Sequence, residues 1–132
     1  MLVTNFYGAS TILPNRSILT KNGDYRLHLP RGTKYLRVMG KKNSNDTELV
    51  AVFDVGRLRF CETHGPPIWS TAMDCRYPLH NGDSQINIVP LVSPYMYGNK
   101  HYQEFEILYV DQRNIVTYSC SFTVLTQLGD TV

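Results

Sequence analysis

The sequence predicts an all-β protein: a single β-sandwich of about eight antiparallel strands with a jelly-roll-like topology. Alanine, the strongest helix former, occurs only at Ala9, Ala51 and Ala72. Valine, isoleucine and threonine together number 29, and there are nine tyrosines, residue types that pack well on a pleated sheet. Only 70–75 is compatible with one short helix. A small closed β-barrel is the alternative fold that this composition leaves open.

The length and the apolar content of the chain predict one domain. The 132 residues lie in the usual single-domain range, and 42% of them are apolar, enough to bury one sizeable core. We therefore interpret 1–132 as a single β-sandwich domain.

The clearest local signal is a hairpin predicted for 17–29. Asn22 and Gly23 both tolerate positive φ, as a two-residue turn between twisted strands requires. Such a turn sets Ile18 opposite Leu27 as an apolar cross-strand pair. The sequence therefore predicts two paired strands here.

A second hairpin is predicted for 103–124, with the turn at Gln112 and Arg113. In that register Phe105, Ile107 and Tyr109 face Cys120, Tyr118 and Val116, while Glu104 and Glu106 face Ser121 and Ser119. One face of this hairpin then belongs to the core and the other is partly wet. A slip of one residue would bury both glutamates, so the pattern specifies the faces strongly.

Further strands are predicted between and before the hairpins. The segment 48–55 is apolar on both faces, typical of a strand buried within a sandwich or between subunits. Strands are also expected at 2–7, 33–39, 57–61 and 85–92. Pro90 cannot donate to a ladder, so the last of these should lie at an edge or carry a bulge.

Two segments, 62–84 and 93–102, interrupt this rhythm and are expected to be long irregular loops. Loops of such length are uncommon in compact domains and often carry function. Candidate functional residues are therefore expected there.

The first of these segments and the strand before it contain residues with metal-ligand chemistry. Cys61, His64, Cys75 and His80 have a C-x2-H-x10-C-x4-H spacing, and thiolate and imidazole groups suit tetrahedral zinc. The spacing matches no specific motif, and separate burial of the cysteines explains them equally well. We favour burial and predict no bound metal or cofactor.

The candidate binding residues are the aromatics Tyr95, Tyr97, Tyr102 and Trp69. Aromatic rings on an exposed turn form hot spots for protein contacts, and they also stack on sugars. The neighbours Gly98 and Asn99 indicate an exposed turn for the tyrosines. Trp69 follows Pro67 and Ile68, so burial at one end of the core is the interpretation we favour for it.

The charge pattern argues against a nucleic-acid partner. The formal net charge is +2, far from the basic excess of a dedicated nucleic-acid binder. The densest basic stretch is 31–42, where alternation of strand faces puts Arg37 and Lys41 with Tyr35 on one side and Lys34 with Lys42 on the other. No continuous phosphate track results.

Neither an enzyme nor a membrane protein is predicted. The sequence contains no nucleophile elbow, glycine-rich phosphate loop or H-E-x-x-H motif. It also contains no stretch of 18 apolar residues and no secretory leader pattern at its start. We therefore expect the chain to stay in the cytoplasmic compartment where it is made, unless it is incorporated into a virion.

The three cysteines, Cys61, Cys75 and Cys120, are expected to be free. An odd number without a leader favours thiols in a reducing compartment. We predict that they behave as buried small hydrophobes, with Cys120 packed against Phe105.

One arrangement is loosely similar to immunoglobulin domains. Cys61, Trp69 and the sequence Tyr118, Ser119, Cys120 follow the order of the Cys, Trp and Tyr-x-Cys pattern. However, a Gly-Pro-Pro break separates Cys61 from Trp69, and little chain follows Val124. We assign no family from this similarity.

By elimination, the sequence predicts a non-enzymatic structural or interaction protein that docks onto copies of itself or onto a larger assembly. A virion accessory component, for capsid decoration or in a tail, is the example we expect within that class. The alternative is a carbohydrate-binding, lectin-like module that uses the exposed loop aromatics.

Overall fold

The structure is a computed structural model that describes residues 16–20, 23, 25–43, 46–64, 68–70, 76–91, 95–97, 100–102 and 104–125. The described residues form strands and turns without a helix, so the all-β prediction is confirmed. Within these residues, no helix exists that would be long and apolar enough to cross a membrane.

Twelve strands are present in the described part of the chain. In order they are β1 (Ser17–Thr20), β2 (Tyr25–Leu29), β3 (Thr33–Asn43), β4 (Asp46–Asp54), β5 (Arg59–Thr63), β6 (Trp69–Ser70), β7 (Arg76–Pro78), β8 (Ser84–Pro90), β9 (Tyr95–Tyr97), β10 (Lys100–Tyr102), β11 (Glu104–Asp111) and β12 (Val116–Leu125).

The strands form two main sheets and a short ribbon. The six-stranded sheet has the order β1-β12-β11-β3-β4-β5, and the four-stranded sheet has the order β2-β8-β6 with β7 also paired to β8. β9 and β10 form a two-stranded antiparallel ribbon. The sheets are not closed into a barrel, which favours the predicted sandwich over the barrel alternative.

The core lies between the two main sheets. Alternate residues of the strands point inward and are fully buried: Leu27, Ile86 and Ile88 from the small sheet, and Leu36, Val38, Phe53, Phe105, Ile107, Tyr109, Phe122 and Val124 from the large one. This period-two pattern is the one expected when one face of each sheet packs on the core.

The predicted hairpin at 17–29 is wrong. β1 pairs in parallel with β12 of the six-stranded sheet, whereas β2 pairs with β8 of the four-stranded sheet. Leu19 and Leu27 are both fully buried, one in each sheet. Burial of apolar residues from both strands between the sheets outweighs the local turn preference, so the chain crosses from one sheet to the other.

The predicted C-terminal hairpin is confirmed, with a register two residues different from the expected one. Ile107 lies opposite Cys120, and Phe105 lies opposite Phe122. A shift by an even number of residues preserves the faces. Phe105 and Ile107 therefore still point into the core, as predicted, and Cys120 is buried beside them.

The turn of this hairpin and a β-bulge next to it together explain the shift. The turn has three residues, 112–114, in place of the expected two, which moves the register by one residue, and the register shift between Tyr109 and Val110 adds the second. The turn is closed by the Asp111 N–H donating to the Ile115 carbonyl at 3.0 Å and the Asn114 N–H donating to the Asp111 carbonyl at 2.9 Å. Asn114 has φ 66°, the left-handed conformation that ends a three-residue hairpin loop. The carboxylate of Asp111 also accepts the N–H groups of Arg113 and Ile115.

Several other strand predictions are confirmed with adjusted ends. The segments 33–39, 48–55 and 85–92 correspond to β3, β4 and β8. The edge position expected from Pro90 is wrong, because β8 lies between β2 and β6. Pro90 is the last residue of β8 and lies beyond the pairing with β2, opposite Trp69 of β6. The strand expected at 57–61 begins later, at Arg59, because Leu58 has φ 54° in a turn. The predicted strand at 2–7 lies outside the described residues, as does nearly all of the helix considered at 70–75.

The two expected irregular loops contain strands. β6 and β7 lie within 62–84, and the β9–β10 ribbon lies within 93–102. Both β6 and β7 pair with β8, so the backbone hydrogen bonds of this segment are made in the sheet. The expectation of long irregular loops is wrong for these parts.

Candidate interaction surface

The solvent-facing side of the six-stranded sheet, which we call the outer face, is the main candidate site. Its outward residues on three adjacent strands include Tyr35, Arg37, Met39 and Lys41 of β3, Leu49 and Val52 of β4, and Glu104, Glu106, Leu108 and Val110 of β11. Of these, Val110 is already buried within the chain. The predicted grouping of Tyr35, Arg37 and Lys41 on one side of their strand is confirmed by this register.

Strand register determines how the outer face is patterned. Arg37 lies opposite Val52 on one side and Leu108 on the other, and Met39 lies opposite Leu49 on one side and Glu106 on the other. Apolar side chains from three adjacent strands therefore meet in the middle of the sheet. The solvent-facing side of an antiparallel sheet normally carries polar residues at such positions.

These side chains form an open groove with a volume of about 530 Å³. It is lined by Tyr35, Arg37, Met39, Leu49, Val52, Cys61, Glu62, Leu108, Val110 and Asn114. The Nη2 group of Arg37 donates a hydrogen bond to Oδ1 of Asn114 at 3.1 Å. This bond holds the guanidinium group against the turn residue Asn114, which also lines the groove. An apolar centre with a polar rim is the usual layout of a protein interface.

A second groove, of about 470 Å³, continues the outer face toward the β1 edge. Its lining includes Ile18, Lys41 and Glu104. Ile18 is 56% exposed, the most exposed large apolar side chain of the described residues. Lys41 and Glu104 are cross-strand neighbours, so this groove places both signs of charge beside an exposed isoleucine.

The two described cysteines lie on opposite sides of the sheet. Cys120 is buried in the core, where desolvation raises the pKa of its thiol to about 12. Cys61 is exposed on the edge strand β5, and its Sγ donates to the Val52 carbonyl at 3.6 Å. The prediction of a buried, free thiol is confirmed for Cys120. It is wrong for Cys61, because the last strand of a sheet has no neighbour to cover it, and Cys75 lies outside the described residues.

The candidate tyrosines lie on the β9–β10 ribbon. Backbone register places Tyr102 directly opposite Tyr95, with Tyr97 two residues further along β9. The segment was expected to be an irregular turn, but paired strands hold these positions together. β10 contacts β3 and leads into β11, so the ribbon adjoins the end of the outer face that carries Lys41 and Glu104.

Trp69 lies apart from these tyrosines, in the core. It is 2% exposed, and its ring centroid lies 5.6 Å from that of Phe53 and 5.3 Å from that of Phe60. Its indole Nε1 is buried and has no hydrogen-bond partner among the described residues. In this packing Trp69 closes the sandwich between β4, β5 and β6 and presents almost no surface to a partner.

The described members of the candidate zinc set do not lie together. Cys61 and His64 are exposed at β5, and the Nε2 of His64 lies 2.7 Å from the Glu62 carboxylate. His80 is exposed in the turn before β8, in the other sheet. Among the described residues, no three His, Cys, Asp or Glu side chains are grouped closely enough to hold a metal ion. Cys75, the fourth residue of the set, lies outside the described ranges.

The outer face was not singled out by sequence reasoning, although two signals for it exist. The apolar character of both faces of 48–55 showed that Leu49 and Val52 would need cover in addition to the core. In β11, Leu108 and Val110 follow Glu104 and Glu106 on the same face and replace the expected polar positions. Only the pairing of β3 with both β4 and β11 shows that these residues form one surface.

Comparisons with known proteins provide no family assignment. No protein-family model matches the chain, and no curated protein shows significant sequence similarity to it.

Proposed function

We propose that this chain is a non-enzymatic structural protein that associates with copies of itself, within a larger assembly, through the outer face. The observation that carries the proposal is the apolar centre of the outer face, where Met39, Leu49, Val52 and Leu108 are only partly buried. An apolar patch with a polar rim on a solvent-facing sheet is a mark of a protein interaction site.

The distribution of exposed apolar residues supports the same proposal. Ile18, which lines the second groove, is 56% exposed, and Val116, which lies opposite Val110, is 44% exposed. They lie on β1 and β12, both strands of the six-stranded sheet. The sheet that contains the outer face therefore also carries these exposed apolar side chains.

The loop tyrosines remain part of the proposed surface. Tyr95, Tyr97 and Tyr102 lie on a ribbon that adjoins β3, so a partner that covers the outer face would reach them. We expect that replacing Tyr95 and Tyr97 together with alanine weakens association by at least about 2 kcal/mol. The stability of the folded chain should change little in comparison.

The proposal is tested by sedimentation equilibrium over a wide range of protein concentrations. The wild-type chain should be a dimer or larger, and Leu108→Ser should weaken association at least about 30-fold, because a symmetric interface contains the change twice. The matched control is Ile115→Ser, which also removes an exposed aliphatic side chain but lies outside both grooves. This control should associate as the wild type does.

A wild-type chain that stays monomeric at about 200 μM, well above the Kd of a stable interface, would overturn the proposal. If such monomers bound immobilised glycans, and Tyr95→Ala with Tyr97→Ala abolished the binding, the carbohydrate-binding alternative would replace it.

A further inference from the structure

We infer that the partner of the outer face is a second copy of this chain, related by a twofold axis parallel to the strands that passes between β3 and β11. The inference rests on the proposed self-association and adds the arrangement of the two copies. It is based on sheet order, on charge and on strand register.

Sheet order places the axis. In the order β1-β12-β11-β3-β4-β5, β11 and β3 are the two middle strands, with two further strands on each side. An axis between them lets the two outer faces overlap completely. Each β3 then lies over the β11 of the other copy, and the apolar groove residues of both copies are covered.

Charge distinguishes the two middle strands. The outward residues of β3 include the basic Arg37 and Lys41, whereas those of β11 include the acidic Glu104 and Glu106. A basic strand thus lies directly beside an acidic strand at the centre of the sheet. When two sheets stack with β3 over β11, Lys41 is level with Glu104, whereas Arg37 is level with Leu108 and Glu106 with Met39. The self-complementary charge pair is therefore that of Lys41 and Glu104.

Register identifies the pairs that result. Lys41 and Glu104 lie at the same level along the strands. Rotation about an axis parallel to the strands preserves that level and exchanges the two sides of the axis. The ammonium group of Lys41 in one copy therefore faces the Glu104 carboxylate of the other, and symmetry makes this pair twice.

Other face-to-face arrangements are opposed by the same charges. An axis centred on β3 would place Lys41 against its own copy. An axis in the interface that is perpendicular to the strands and lies at the level of Met39 would reverse the levels and bring Lys41 against Arg37 of the second copy. Like charges that meet in an interface are strongly unfavourable, and this selects against wrong arrangements.

Sheet twist does not remove the proposed pairs. Stacked sheets cross at about 30°, and Lys41 lies two residues, about 7 Å, from the level of Met39 at the centre. The crossing displaces it sideways by roughly 3–4 Å from its partner. A lysine side chain with four methylene groups spans this distance, and residues farther from the axis are displaced more.

A mixing experiment with two charge reversals tests the arrangement. In Lys41→Glu both members of each pair are acidic, and in Glu104→Lys both are basic. Each variant alone should dimerise at least about 10-fold more weakly than the wild type. An equimolar mixture has both pairs restored across the interface, so native mass spectrometry should show heterodimers with nearly wild-type affinity.

Mixing separates this effect from effects on folding. Lys41 and Glu104 are also neighbours within one chain, and a like-charged pair there cannot be relieved by adding a second variant. Lys34→Glu is the matched control, since Lys34 is exposed on the same strand but lies outside the outer face. Its dimerisation should equal that of the wild type.

Failure of the inference differs from failure of the proposed function. If Leu108→Ser disrupts the wild-type dimer but the mixed charge variants do not recover affinity, the twofold arrangement is wrong and self-association through the outer face stands. If the wild-type chain is monomeric at about 200 μM, both are wrong.

Discussion

The two sides of the six-stranded sheet are built from the same strands but have different physical roles. On β11, Phe105 and Ile107 are fully buried, whereas the next residue in each case, Glu106 and Leu108, lies on the outer face and is partly exposed. The inner side chains are covered in a single folded chain. The outer apolar side chains of Met39, Leu49, Val52 and Leu108 stay partly exposed in that chain.

This difference teaches that stability and association should be separable by substitution within a single strand. Removing an inner side chain leaves a cavity in a close-packed core, which the structure fills only in part. Removing an outer side chain leaves no cavity in the single chain, because one side of that residue is already solvent. Neighbouring residues of β11 should therefore affect different measurements.

The largest expected effect is that of Phe105→Ala. Phe105 is fully buried and stacks on Phe122 with ring centroids 5.4 Å apart. Its truncation should lower the free energy of unfolding by about 3–5 kcal/mol. Leu108→Ala should lower it by less than about 1.5 kcal/mol, because less apolar area is lost from the folded chain.

Urea unfolding measures both changes, at a protein concentration low enough to keep the chain monomeric, since any association would add to apparent stability. Equal losses for Phe105→Ala and Leu108→Ala would contradict the distinction between the two sides of the sheet.

The inner side of the sheet could be predicted from the sequence better than the outer side. Alternation in β11 and β12 identified the core positions even though the register differed by two residues, because an even shift keeps each residue on its side. The pairing of β1 could not be predicted. Asn22 and Gly23 carry a strong local turn signal, but the competing burial of Leu19 and Leu27 depends on strands about 100 and 60 residues away.

The candidate site depends in part on a pairing of the same long-range kind. Met39 and Leu49 lie opposite each other on the consecutive strands β3 and β4, but Leu108 joins them only because β3 also pairs with β11. Single-strand patterns showed which positions were apolar, and they placed Trp69 at the core. They did not show that the outer apolar positions would meet.

The second prediction tests the difference between the inner and outer sides of the sheet with the two described thiols. Cys120 lies on the inner side with its pKa raised to about 12 by burial, so only about one molecule in 10⁴ carries the thiolate there at pH 8. Cys61 is exposed on the outer side. A thiol reagent should modify Cys61 in the native chain at least about 100-fold faster than Cys120, which reacts through opening of the core.

Peptide mass mapping identifies the modified sulfur at each time point, and Cys61→Ser provides the control. The rate at Cys61 should also fall as the protein concentration is raised, because this residue lines the groove that the proposed association would cover. Rapid native labelling of Cys120 would show that the inner side is less tightly packed than the structure indicates.

The third prediction concerns the turn that connects β11 and β12. Asn114 has φ 66°, which glycine adopts readily and a β-branched residue does not. Asn114→Val should destabilise the chain by about 1–2 kcal/mol relative to Asn114→Gly. Both variants lose the hydrogen bond from Arg37, so the difference between their urea midpoints isolates backbone strain. Equal midpoints would show that the turn relaxes to another conformation.

The smallest expected effect is a response to acid that arises outside the core. Oδ1 of Asp83 accepts the Arg31 backbone N–H at 2.9 Å, and Oδ2 lies 2.8 Å from Nε2 of His28. The backbone hydrogen bond from Arg31, followed by the contact with His28, holds the pKa of Asp83 below its usual value of 3.8. The folded chain therefore binds this proton less readily than the unfolded chain does.

The sign of the effect follows from linkage. Because the folded-state pKa of Asp83 is depressed, its stabilising contribution is complete above about pH 4 and is lost as the pH falls through the folded-state pKa. Asp83→Asn keeps the side-chain shape and an oxygen that can accept the Arg31 N–H, but it removes the titration. Its urea midpoint should therefore decline less than that of the wild type between pH 4 and pH 2.

Asp111 should respond in the same direction, because the N–H groups of Ile115 and Arg113 depress its pKa, and Asp111→Asn is the parallel variant. In contrast, Leu108→Ala should shift the whole pH profile of the urea midpoint without changing its slope, since it removes no titrating group. Profiles of wild type and Asp83→Asn that run parallel from pH 7 to pH 2 would show that the contacts of Asp83 do not distinguish its charged form. The acid response would then have to come from other carboxylates, and Asp83 would contribute no more to the pH dependence of stability than Leu108, which does not titrate.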